Sequence, residues 1–134
     1  MDPILETANS KRFTFRWDER LHRKIDFKRV FKEGRRLSAS GLTLWVFQHE
    51  AQEPSQKARL GLAIPKAYGN AVARNRLKRL IREAFRLNKA RLPPEVDMVF
   101  SARPLPAKPF YRTIEPLVLK LWTVAKLLPP SQNS

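Results

Sequence analysis

The chain contains no cysteine, which excludes disulfides, cysteine-ligated zinc and thiol nucleophiles. Glycine occurs only four times, and no glycine-rich loop that could cradle a nucleotide's phosphates is present. No apolar run approaches the roughly 20 residues that cross a bilayer. The opening segment, MDPILETANSKRF, carries acids where a signal peptide needs a basic region, and no apolar block follows. A cytoplasmic location without membrane association is therefore expected. The two histidines, His22 and His49, have no paired ligand spacing, and the 12 acidic residues contain no D-x-D or comparable metal-holding cluster. Asp97, flanked by Val96 and Met98, reads as an ion-pair partner rather than a metal ligand. No metal site and no set of catalytic side chains is visible, so any chemistry must come from a partner.

Acids are also few relative to bases. Lysine and arginine number 27, leaving a net charge of +15 on 134 residues. Such an excess destabilises a compact monomer by self-repulsion and points to a polyanionic partner. With 43% apolar and 10% aromatic residues, the chain has the material of a folded protein and the length of one modest core. One domain is expected across residues 1–134, with 1–16 as a flexible arm and 129–134 as a tail.

Periodicity places the elements. Phe27, Val30 and Phe31 share a face of a short helix over Ile25 to Glu33, with Gly34 as its stop. Residues 41–48 (GLTLWVFQ) and 58–64 (ARLGLAI) read as strands, separated by a turn from Glu50 to Gln56. Residues 96–102 (VDMVFSA) form a third strand. The segment RPLPAKPF is a proline-rich loop. TIEPLVLKLWTVAKLL reads as a terminal helix with Pro116 in its first turn.

Between the second and third strands lies GNAVARNRLKRLIREAFR. On a helical wheel Ala73, Leu77, Leu80, Ile81, Ala84 and Leu87 gather on one side, and Arg74, Asn75, Lys78, Arg79, Arg82 and Arg86 on the other. Solvated helix faces usually mix signs to form i,i+4 pairs. Here residues 69–91 hold eight bases and one acid, Glu83. The like charges at Arg74, Lys78 and Arg82 oppose an isolated helix, and phosphate binding explains them better than solvation does. Asn75 is a poor helix residue; its amide suits a phosphate, a ribose hydroxyl or a base edge.

Residues 11–36 add eleven bases against four acids, a second cationic surface. Phe27 and Phe31 fit either a core or an exposed platform. In GLTLWVFQ, Leu42, Leu44 and Val46 fall on one face and Trp45 and Phe47 on the other. An open face of aromatics beside arginines suits the stacking of unpaired bases, which favours single-stranded RNA over duplex DNA.

The segment GNAVARNRLKRLIREAFR resembles the signature of the bacterial ribonuclease P protein subunit family, with its Arg-Asn-Arg core. RLHRKIDFKRVFKEGRR resembles the family's first helix, RLGLAIPK its central strand and DMVFSAR the strand after the basic helix, so the likeness covers about residues 20–128. The resemblance implies an α/β fold, an α+β sandwich. In it a small, mostly four-stranded sheet packs with about three helices, and the basic helix makes a left-handed βαβ crossover. A ribosomal-protein domain and domain IV of elongation factor G share that arrangement. Only three strands are evident from the residues, and the fourth is sought in a split segment or near Phe110.

The resemblance further implies a subunit of a ribonucleoprotein endoribonuclease that removes the 5′ leader of precursor tRNA. The catalytic RNA carries the reaction and holds the Mg2+, and no further protein partner is required. By position, Arg74, Asn75, Arg76, Lys78, Arg79, Arg82 and Arg86 would face the RNA. Phe27, Phe31, Trp45 and Lys66 would line a cleft for the single-stranded leader. One departure stands out: Pro65-Lys66-Ala67 occupies the place where Ser-Lys-Lys is common, which puts one phosphate contact in question. A ribosomal protein would share the charge and fold but not need this motif with an aromatic cleft. A helix-turn-helix reader of DNA would need a helix, not a strand and loop, before the basic one.

Overall fold

The segment VDMVFSA is apolar at successive positions and not only at alternate ones, the pattern of a strand covered on both faces. The computed structural model, which describes residues 19–48, 57–105 and 108–128, places it inside a four-stranded sheet. In chain order the elements are α1 (Lys24–Glu33), β1 (Arg35–Ala39), β2 (Leu42–Gln48), β3 (Arg59–Leu62), α2 (Ala71–Asn88), β4 (Val96–Ala102) and α3 (Tyr111–Val124). The sheet order is β1-β2-β4-β3. β1 and β4 each run antiparallel to β2, while β3 runs parallel to β4. Parallel neighbours require a crossover connection, and α2 makes it. The three helices and mixed sheet form the α+β architecture that the resemblance implies. The arm expected at 1–16, the turn from Glu50 to Gln56 and the tail at 129–134 lie outside the described residues.

The fourth strand is neither a split segment nor near Phe110. It is β1, RRLSA, which pairs with β2 from Arg35↔Val46 to Ala39↔Leu42. As an edge strand it exposes its arginines, a pattern that discourages edge-to-edge association and that hides the apolar alternation of a strand. Its signal lay in the turn. Ser40 and Gly41 have φ of 51° and 88°, the two positive values of a tight hairpin turn.

One face of the sheet carries the main core. Leu42, Leu44 and Val46 of β2, Leu60 of β3, and Met98 and Phe100 of β4 pack under α2 and α3. On α2 the buried residues are Leu77, Ile81, Ala84 and Phe85, whereas Leu87 is 41% exposed. The wheel thus misjudged one flank: α3 widens the buried arc of α2, so that Phe85 meets Trp122 edge-on at 6.4 Å. Helix α3 also starts two residues earlier than its pattern suggests. The Thr113 hydroxyl accepts from the Phe110 N–H (3.1 Å) and donates to the Phe110 carbonyl (2.7 Å). Pro116 therefore lies in the second turn, not the first. After Val124, Lys126 takes φ 65° and turns Leu127 and Leu128 back into the core.

The opposite face is covered by α1, which packs Val30 against Val99 with Phe27, Trp45 and Phe47 around them. Gly34 ends α1 as expected, but for a different reason. Its φ of −83° and ψ of 167° are ordinary extended values. What requires glycine is space, because a Cβ there would lie 2.5 Å from the Val30 carbonyl oxygen and 2.6 Å from that of Val46. We expect Gly34→Ala to cost about 1–3 kcal/mol by overpacking against rigid backbone, read as a lower urea midpoint. An unchanged midpoint would show that the helix–strand junction yields at no cost.

Candidate nucleic-acid interface

The approach of α1 to the sheet begins with a missing side chain. At Gly61 of β3 a Cβ would stand 2.7 Å from the Phe27 ring, so glycine lets that ring lie on the strand. An ion cluster holds the helix beside it. Arg59 donates to Asp97 through Nε and Nη2 at 2.8 and 2.7 Å, and its Nη1 lies 3.7 Å from Asp26. Asp26 also accepts from Arg23 Nε at 3.1 Å. Asp97 thus serves as the ion-pair partner its sequence context suggested. Both carboxylates are almost wholly buried. Burial alone would push the Asp26 carboxyl up, but the Arg23 hydrogen bonds and the charges of Arg59, Arg23 and Arg29 outweigh it and hold it below its ordinary value.

Helix α1 covers only one end of this face. Residues that point the same way from β1, β2 and β4 remain open, because the register aligns Arg36 with Trp45, Ser38 with Thr43, and Thr43 with Ser101. Together with Arg103 they line a groove of about 600 Å³. Phe31 stands over its Trp45 end, 4.9 Å away and edge-on, with Phe27 6.4 Å further along. Phe31 is 40% exposed, while Phe27 and Trp45 are half-buried. The Arg36 guanidinium lies 5.8 Å from the Trp45 ring centre, and that of Arg29 5.9 Å from Phe47. Aromatic faces, guanidiniums and hydroxyls along one open channel can stack bases and bind the backbone between them.

Helix α2 begins at Asn70, whose side chain accepts the Ala73 N–H at 2.8 Å, an N-cap. Its cationic side divides in two. Lys78 and Arg82 turn toward α1 and share a smaller groove with Arg20, Phe27 and Gly61, so the basic helix and the aromatic cleft adjoin. Burial, and then the charges of Arg20 and Arg79, hold the Arg82 guanidinium below its usual pKa. Asn75, Arg76 and Arg79 face the other way, into a groove of about 680 Å³ beside the proline-rich segment.

Two arginines of the motif are anchored internally. Arg74 Nη1 donates to the Gly69 carbonyl (2.6 Å) and Arg76 Nε to that of Pro109 (3.1 Å). Among the described residues no carboxylate pairs with Arg74, Arg76, Lys78, Arg79 or Arg82. Arg86 differs, since Nε and Nη2 grip Glu83 at 2.9 and 2.7 Å. Lys66 is exposed on the 3-10 turn before α2 and lines none of these three grooves. Sequence reasoning missed Arg36, Ser38, Thr43, Ser101 and Arg103. They meet only through strand register, for which β1 had to be recognised first.

Residues 15–126 match the family model described as Ribonuclease P. The chain is 38% identical over 104 residues to the ribonuclease P protein component of Clostridium novyi, covering 78% of this chain and 90% of that protein. It is 34% identical to that of Dictyoglomus thermophilum, covering 87% and 95%. Among solved structures, the RNase P protein of Staphylococcus aureus superposes with a TM-score of 0.71 at 29% identity, over 82% of this chain and 97% of that one. The RNase P protein of Thermotoga maritima gives 0.63 at 31% identity, over 77% and 94%.

The Asp26 cluster sets a pH dependence. A carboxyl whose folded pKa is depressed adds its full stabilisation above its unfolded pKa, about 4, and loses it as the pH falls further. Asp26→Asn should therefore lower stability at neutral pH and flatten the loss of stability below about pH 4. Parallel pH–stability curves for the variant and the parent protein would assign the acid sensitivity to other groups.

Proposed function

The chain belongs to the ribonuclease P protein family, and from that premise we propose that it is the protein subunit of a ribonucleoprotein that cleaves precursor tRNA. In this reading α2 binds the catalytic RNA, and the cleft beside α1 takes the single-stranded 5′ leader. The observation that carries it is the junction of the two surfaces. One groove on the sheet holds Trp45 among arginines, a second joins Phe27 to Lys78 and Arg82 of the basic helix, and Phe31 touches both Trp45 and Phe27. A strand of RNA leaving a bound RNA partner would meet both in sequence.

Each group has a defined task. Arg79 and Arg82, exposed on α2, neutralise phosphates of the RNA subunit and release its counterions. Asn75, also exposed, offers an amide to a sugar or base edge. Phe31 and Trp45 stack leader bases, Arg36 and Arg103 bind the phosphates between them, and Ser38, Thr43 and Ser101 offer hydroxyls. Magnesium ions held by the RNA would activate the attacking water. Among the described residues no group of three or more His, Asp or Glu could hold a metal ion. The assembly comprises RNA and this chain, in the cytoplasm, with no second protein required. Among the described residues no helix is long and apolar enough to cross a membrane.

Two measurements test the two halves. For the helix, Arg79→Ala and Arg82→Ala should each weaken binding to the catalytic RNA and lower the log–log salt slope by about one unit, one phosphate contact apiece. If both variants kept the parent affinity and slope, the stripe would be a solvated surface. For the cleft, Phe31→Ala and Trp45→Ala should weaken precursor tRNA binding to the assembled complex by about 1–3 kcal/mol per lost stack. Affinity for mature tRNA, which has no leader, should stay unchanged. Equal losses for both RNAs, with a stability drop of about 3–5 kcal/mol, would mark these aromatics as core.

A further inference from the structure

Beside the second side of α2 stands an aromatic that the proposed leader cleft does not use. Phe110, just before α3, is 41% exposed. The Arg112 guanidinium lies 4.8 Å from its ring centre and that of Arg76 5.4 Å. Neither arginine pairs with a carboxylate among the described residues. Arg76 is fixed where it is, because Nε donates to the Pro109 carbonyl at 3.1 Å. That bond uses one N–H and leaves the rest of the fork available for phosphate. The adjoining groove of about 680 Å³ places Asn75, Arg79 and Lys108 beside the same arginine, with Tyr68 and Leu105 in its wall. An exposed ring with two guanidiniums beside it, bordered by an amide and two further cations, has the composition of a nucleotide site. The ring and guanidinium faces stack a base, and the flanking charges hold the phosphates on either side.

We propose that Phe110, with Arg76 and Arg112, forms a second stacking platform that receives one unpaired nucleotide of the RNA subunit. The inference rests on the reading of α2 as the surface that meets that RNA. The occupant follows from position. Arg76, Asn75 and Arg79 belong to α2 and line this groove, whereas the Phe31 and Trp45 cleft lies on the opposite face of the sheet. A duplex would hide its base faces, so the site calls for a bulged or looped-out nucleotide.

The test uses the full chain and its cognate RNA transcript. Phe110→Ala and Phe110→Leu, the latter keeping apolar bulk without a π face, should each weaken binding to the RNA subunit by roughly 5- to 150-fold, the range for one lost base stack. Phe110→Trp should restore it, which a role in packing α3 would not predict. Melting curves for all three should stay close to the parent. Arg82→Ala serves as the control for the reading of α2. If it weakens RNA binding while the Ala and Leu variants bind like the parent, the platform is refuted and the proposed function stands. If none of them changes RNA binding, that function falls and the platform with it. A loss seen only for precursor tRNA on the assembled complex would place the nucleotide in the substrate and overturn the assignment to the RNA subunit.

Discussion

Arg59 joins the two halves of the molecule. Its guanidinium sits between Asp97 of the inner strand and Asp26 of α1, two carboxylates that are almost wholly buried. A buried carboxylate is tolerated only when paired and hydrogen-bonded. The planar fork of arginine can serve both at once, which the single ammonium of lysine does with less geometric control. Because this pairing sets the position of α1, it also sets what α1 leaves uncovered. Phe27 comes to rest on Gly61, Phe31 reaches only the edge of Trp45, and the far end of the sheet stays open.

The second constraint is charge. A net +15 on 134 residues has to be placed where repulsion does least harm to folding, and the fold places it outside two apolar layers. Leu77, Ile81 and Phe85 bury one side of α2 fully, so the other side can carry like charges four residues apart despite their mutual repulsion. Burial, with the nearby charges of Arg20 and Arg79, lowers the pKa of the Arg82 guanidinium. A polyanionic partner would relieve the repulsion, so the unfavourable electrostatics of the free protein favour association with such a partner.

Helix α2 also divides the labour between its two flanks. One flank leads through Lys78 and Arg82 to the cleft under α1, and the other through Arg76 to Phe110 at the start of α3. The anchoring of Arg74 and Arg76 to main-chain carbonyls shows that the motif's arginines are partly structural. They tie the start of α2 to the turn before it and to the segment that leads into α3. Arg86 grips Glu83 one turn back along the helix.

Much of this was legible in the residues. The period of α2, the alternation of Leu42, Leu44 and Val46 against Trp45 and Phe47, and the excess of positive charge are local properties, set by side-chain chemistry and helix or strand geometry alone. The basic motif likewise sufficed to identify the family, because its residue types and spacing are contiguous in the chain. What the sequence left open depends on which segments become neighbours. β1 was missed because an exposed edge strand needs no apolar alternation, and Leu87 was preferred to Phe85 because the packing of α3 decides where the buried arc of α2 ends. The groove that sets Arg36, Ser38 and Thr43 beside Ser101 exists only after two strand registers and the docking of α1 are in place. These are long-range contacts, and no local pattern encodes them; the tertiary structure alone turned a basic helix and scattered aromatics into adjoining surfaces.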